Sequence, residues 1–317
     1  GEGAITSAID YVVSEELPQL YMLEGHGEAE LPAYLTAAAI SLAGAALLCH
    51  RKPKNTRFYA REGYVTVALC WLVLAVIGAL PFVLSREIPF FIDALFETVS
   101  GFTTTGATIL GDVEALSHAS MLWRCLTHWV GGMGVLVFML IVLPLAGGQT
   151  IFLMRAESPG PAVSKMSPHM RDTATILYAI YFGLTVLQMI LLLIGGMPLF
   201  DAICVSLGTA GTGGFGNWND SIAHYNSAYL QNVITVFMIL FGINFSAYFL
   251  ILTRKFRQAF RIEEIRVYLG VIFVFAGLIA FNVRPMFGSL RESFHHALFQ
   301  VASIITTTGF STVDFDR

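Results

Sequence analysis

The stretches DALFETVSGFTTTGA (93–107), DAICVSLGTAGTGGF (201–215) and HALFQVASIITTTGF (296–310) align with one another without a gap. Each opens on Asp-Ala or His-Ala, runs through an apolar segment and closes on Thr and Gly. The intervals Gly106–Gly214 and Gly214–Gly309 are 108 and 95 residues, room for one helix out, one helix back and the next short segment. A helix of about 12 residues reaches about 18 Å, short of the roughly 30 Å core of a bilayer. Such a half-span is stable only where its end is buried in protein or lines a water-filled path. One Thr-Gly cluster would read as close helix packing. Three copies at one offset read as a repeated pore loop.

The rest of the chain supplies the surroundings such loops need. Of its 317 residues 56% are hydrophobic and 13% charged, with a mean hydropathy of +0.69. Soluble domains carry about 25% charge, so the chain reads as an integral membrane protein. A net charge of −4 excludes a basic nucleic-acid binder. Cys49, Cys70, Cys125 and Cys204 lie in apolar stretches without metal-type spacing and read as buried thiols. The chain does not begin with Met, and no basic-then-apolar leader precedes residue 30.

Six segments are long enough to cross a bilayer: 31–49, 64–84, 122–146, 174–196, 228–253 and 265–283. The half-spans are 88–103, 198–208 and 291–305. Residues 50–63, 147–173 and 254–266 hold thirteen of the eighteen lysines and arginines, which marks their side as cytoplasmic. All three Thr-Gly loops then open outward, on the side where most carboxylates lie. The expected organisation is an outer segment (1–30), an extra span with its cytoplasmic loop (31–63), a first unit (64–146), a cytoplasmic loop (147–173), a second unit (174–253) and a third that stops after its loop (254–317).

Gly permits backbone conformations that turn successive carbonyls toward one axis, and Thr adds a hydroxyl. A ring of carbonyls can replace the hydration shell of a monovalent cation. The C-terminal end of each short helix adds about half a negative charge. No carboxylate lies within the Thr-Gly segments, which suits a monovalent ion better than a divalent one.

DALFETVSGFTTTGATIL (93–110) resembles the first pore loop of the Trk/Ktr/HKT superfamily of cation transporters. HWVGGMGVLVFMLIVLP (128–144), RAESPGP (155–161) and FQVASIITTTGFSTVDF (299–315) are similar to its TrkH/TrkG branch. The resemblance runs over essentially the whole chain from residue 31. It implies an all-α membrane fold of helix–pore loop–helix units around a pseudo-fourfold pore, with about two and a half units present and both ends incomplete. It further implies a pore-forming subunit for potassium uptake in the cell membrane. That subunit would be homodimeric, partnered by a TrkA-type cytoplasmic nucleotide-binding ring, and would carry K⁺ as transported ion with no bound cofactor. Carried over by position, the filter glycines are Gly106, Gly214 and Gly309, flanked by Thr104, Thr105, Thr212, Gly213, Thr307 and Thr308. A Ser at the position of Gly106 accompanies sodium transport in plant relatives, so Gly points to potassium. Gly213 departs from the simple Thr-Thr-Gly pattern and would loosen the second filter. The alternative within the superfamily is a Na⁺ or mixed Na⁺/K⁺ transporter.

Other features are read more plainly. GTGGFG (211–216) matches a dinucleotide fingerprint but lacks the preceding strand. A membrane-embedded enzyme would need a nucleophile–base pair, and no Gly-x-Ser-x-Gly, His-Glu-x-x-His or paired intramembrane Asp is present. Arg124 and His128, beside Trp123 and Trp129, read as anchors at the outer interface. Gly131, Gly132 and Gly134 suit close helix contact. Gln188, Asn232 and Asn244 either hydrogen-bond between helices or line the cavity. His295 and His296 read as a solvated helix start.

Overall fold

The structure, a computed structural model, describes residues 27–50, 60–134, 170–252, 254–259 and 261–313. These form helices joined by turns and loops, with no strand among the described residues. In chain order the helices are α1 (Gly27–His50), α2 (Ala60–Leu84), α3 (Phe91–Phe102), α4 (His118–Gly132), α5 (Met170–Ile194), α6 (Leu199–Ala210), α7 (Ala228–Phe241), α8 (Phe245–Leu252), α9 (Phe256–Ala259), α10 (Glu263–Asn282) and α11 (Leu290–Ile305). The chain is therefore an all-helical membrane protein. Helices α2, α5 and α10 each contain a 20-residue stretch long and apolar enough to cross a membrane.

Local chemistry starts several helices. Ser117, Ser227 and Ser289 cap α4, α7 and α11, each side chain accepting from the backbone N–H three residues on. Pro198 precedes α6, where a missing N–H costs nothing. Large apolar side chains stay exposed along α1, α2 and α10, among them Leu35, Leu42, Leu69, Leu72, Phe273 and Phe281. Exposed apolar side chains in such density face lipid in a membrane protein.

The short helices α3, α6 and α11 lie at the expected half-spans, and each packs on the long helix before it: α3 on α2, α6 on α5, α11 on α10. Two further contacts link successive repeats, because α4 packs on α6 and α7 on α11. The buried clusters collect at these seams. One joins Met121 and Cys125 of α4 to Cys204 and Phe215, and another joins Ile234 and Met238 of α7 to Phe299 and Phe310. Cys125 and Cys204 are buried free thiols.

Two expected spans differ from the sequence reading. The segment 228–253 is broken: α7 ends at Phe241 and α8 begins at Phe245. Gly242 caps α7 and sits against the Tyr268 hydroxyl and the Thr306 methyl, where a side chain would collide. The segment 122–146 starts earlier, at His118, and its helix stops at Gly132 before Gly134, whose φ is +70°. Residues 135–146, the stretch RAESPGP, most of the loop 147–173, residues 1–26 and residues 314–317 lie outside the described residues.

Candidate functional site

The last turn of each short helix decides the geometry. Thr104 donates its N–H to the Gly101 carbonyl (3.0 Å) and Thr105 to Ser100 (2.9 Å). Thr212 and Gly213 repeat this with Thr209 and Gly208, as do Thr307 and Thr308 with Ile304 and Ser303. This is a Schellman ending, which requires a left-handed residue after the helix cap. That residue is Thr in every copy: Thr104, Thr212 and Thr307 have φ of +53, +53 and +60°. Gly would adopt this conformation freely, whereas an L side chain costs about 1–2 kcal/mol. Three retained threonines put three hydroxyls at the helix ends at that cost, and strain of this kind gathers at functional positions.

Two residues on, Gly106, Gly214 and Gly309 have φ of +75, +75 and +83°. The residue between each pair lies outside the positive-φ region. Alternation of backbone hand turns successive N–H groups to one side of the chain and carbonyls to the other. A strand, by contrast, alternates them.

The segments also meet one another. A methyl built on Gly106 would collide with the main-chain oxygen of Gly213, and one on Gly214 with that of Thr308. The structure thus brings the first Thr-Gly segment against the second and the second against the third. Among the described residues, nothing stands within 4 Å of a methyl on Gly309. Beyond the glycines, Ser100 Oγ donates to the Ala107 carbonyl (2.5 Å) and Ser303 Oγ to the Phe310 carbonyl (2.6 Å). These bonds tie the first and third loops back to their own short helices.

Arg124 and His128 are not interface anchors. Their exposures are 3% and 0%, and both point into the seam between the first two repeats. Arg124 Nε lies 2.5 Å from Glu97 Oε1, and Glu97 is 1% exposed. The Glu97 carboxylate also accepts from the Thr108 hydroxyl and the Ile109 N–H. Arg124 Nη1 donates to the Gly216 carbonyl (3.3 Å), and its guanidinium stands 3.6 Å over the Phe215 ring. Two buried opposite charges, each with further hydrogen bonds, hold one another in place. Glu97 escaped the sequence reading: its partner is 27 residues away, on another helix.

Further polar contacts join the elements around these loops. Asp201 accepts from Asn217 Nδ2 (2.6 Å), the Tyr225 hydroxyl (2.6 Å) and Trp218 Nε1 (3.3 Å). Burial, together with the bond to Asp201, pushes the Tyr225 phenol above its ordinary range. His295 and His296 do not form a solvated helix start. His295 bridges to Gln231 (2.7 Å) and Asn232 (3.1 Å), and His296 pairs with Thr312 (2.9 Å) and stacks on Phe287. Gln188 donates to Thr209 (2.9 Å), and Asn244 lies 3.5 Å from Glu264. The first joins α5 to α6, and the second joins the α7–α8 turn to α10.

A second contact repeats along the chain. The Tyr181 hydroxyl of α5 donates to the Trp129 carbonyl (3.0 Å) beside Gly132. The Tyr268 hydroxyl of α10 donates to the Ile239 carbonyl (3.2 Å) beside Gly242. In both, a tyrosine of the following repeat reaches the carbonyl three residues before a glycine where the helix ends.

Residues 32–317 match the family model described as TrkH, cation transport protein. The chain is 36% identical over 310 residues to the Trk system potassium uptake protein TrkH of Salmonella typhimurium, covering 95% of this chain and 63% of that protein. It is 34% identical over 268 residues to TrkG, a Trk system potassium uptake protein of Escherichia coli K12, covering 83% of this chain and 55% of that protein. Among solved structures, the crystal structure of the potassium transporter TrkH from Vibrio parahaemolyticus superposes with a TM-score of 0.77. The identity there is 28%, over 93% of this chain and 61% of that one. The chain thus spans less than two thirds of the length of the relatives it matches.

Proposed function

The chain belongs to the TrkH family of cation transport proteins, and from that premise we propose that it forms the ion path of a potassium uptake system. The observation that carries the proposal is the threefold backbone pattern: left-handed Thr, intervening residue, left-handed Gly, each copy at the C-terminal end of a short helix. In this reading Thr104, Thr105, Gly106, Thr212, Gly213, Gly214, Thr307, Thr308 and Gly309 are the filter. Their carbonyls replace the water shell of K⁺. The half-charges at the ends of α3, α6 and α11 hold the dehydrated ion and repel anions. Glycine in all three filter positions leaves no side chain between ion and carbonyl.

The whole protein in this reading is a homodimeric pore-forming subunit of the cell membrane, gated from the cytoplasmic side by a TrkA-type nucleotide-binding ring. Absence of carboxylate from the segments favours a monovalent ion. The second reading is sodium or mixed Na⁺/K⁺ transport, on the same architecture.

Ion uptake by the full-length protein, in cells stripped of their other potassium systems, tests the proposal. K⁺ and Rb⁺ are expected to accumulate and Na⁺ and Li⁺ to be excluded. Sodium accumulation equal to potassium would replace this reading with the second.

A further inference from the structure

The three Thr-Gly segments share one backbone but not one set of supports. The first has Ser100, Thr103 and Thr105, and the third has Ser303, Thr306 and Thr308 at the matching positions. In both, the serine hydroxyl ties the loop to its helix, and the two threonine hydroxyls bond each other at 2.8 Å. In the second segment the same three positions are Gly208, Gly211 and Gly213. It lacks both the tie and the bridge.

His128 occupies the space that side chains at Gly211 and Gly213 would need. A methyl on Gly213 would stand 2.5 Å from the imidazole Nδ1 and Cε1. A methyl on Gly211 would strike the His128 carbonyl. The imidazole stacks on Phe215, with ring centroids 3.9 Å apart, and His128 Nδ1 accepts the Phe215 N–H at 3.3 Å. The accepting nitrogen is unprotonated, so the ring is the neutral Nε2–H form. At the next seam the arrangement inverts. Counting from Gly132 and Gly242, where the tyrosine contacts repeat, Met238 takes the place of His128 and Ile234 that of Arg124. Both lie in one buried apolar cluster with Phe310. The neighbour supplies a hydrogen-bond acceptor where the loop lacks the three supporting hydroxyls, and hydrocarbon where the loop has them.

We propose that His128 is a positioning residue for the second filter segment. It fixes the Gly213–Phe215 backbone from the adjacent repeat and thereby sets that segment's discrimination of K⁺ from Na⁺. The inference rests on the potassium reading above. The hydroxyl supports and the imidazole are alternative devices for the same task, and they exclude each other at Gly213.

The test uses K⁺, Rb⁺ and Na⁺ uptake by the full-length protein, with separate KM values for each ion. His128→Ala should lower K⁺/Na⁺ selectivity about tenfold, the scale of one lost hydrogen bond. His128→Asn, which retains an acceptor, should stay nearer wild type than His128→Phe, which retains only the ring. Gly213→Thr should be inactive alone and should regain selective uptake in the His128→Ala background. Should the alanine variant fail to fold, the Asn and Phe variants decide. Wild-type selectivity in His128→Ala or His128→Phe, or one phenotype for Gly213→Thr in both backgrounds, overturns the inference while leaving potassium uptake intact. A wild-type protein that takes up no potassium overturns the functional reading and this inference together, and that arm separates the two failures.

Discussion

The main-chain oxygen of Gly213 stands where a side chain on Gly106 would have to go, and Thr308 has the same relation to Gly214. The first and second segments are therefore each closed by the backbone of the one after it.

Gly106→Ala and Gly214→Ala should each abolish uptake. The methyl meets a backbone oxygen that cannot rotate away, and φ of +75° adds strain of about 1–2 kcal/mol. Rubidium influx at matched surface expression is the measurement. Influx at the wild-type rate in either variant would show that the segments do not meet as described.

Arg124→Ala should destabilise the protein by about 3–5 kcal/mol, because it leaves the Glu97 carboxylate buried and uncompensated. Glu97→Gln added to Arg124→Ala should recover a large part of the loss, since a neutral amide costs far less to bury. Thermal unfolding in detergent compares the two. A double variant no more stable than the single one would remove the charge argument.

Gly242→Ala should be destabilising, since the new methyl meets the Tyr268 hydroxyl and the Thr306 methyl. Tyr268→Phe in that background should restore part of the stability, although alone it loses a hydrogen bond worth about 0.5–1.5 kcal/mol. Melting temperatures of the four proteins form a double-mutant cycle. Strict additivity would mean that the hydroxyl and the glycine do not share that space.

The positions of α3, α6 and α11 were legible because three copies of one pattern corrected each other, and because runs of 12–16 residues are too short to cross a bilayer. The break at Gly242 was not. Phe-Gly-Ile-Asn interrupts no hydropathy pattern, and the tyrosine packed against the break lies 26 residues further on. Arg124 and His128 were misplaced for a related reason. Flanking tryptophans are an interfacial signal, and no spacing rule joins Arg124 to Glu97 or His128 to Gly211 and Gly213 of the second loop. Gly213 was legible as a departure from its two counterparts. What compensates for it was not, because the compensating residue belongs to a different repeat.

The hydrogen-bonded support that α4 gives the second loop, and the apolar packing that α7 gives the third, also govern how such proteins can be recombined. Repeats cannot be exchanged as whole blocks, because a loop and the groups that hold it lie in different blocks. A chimera that imports the second loop with its three glycines but not α4 with His128 and Arg124 receives an unsupported backbone. One that imports α4 beside a loop of the Ser–Thr–Thr kind receives an imidazole with nowhere to sit. The exchangeable module runs from the middle of one repeat to the middle of the next, and crossover points belong within the helices rather than between the repeats.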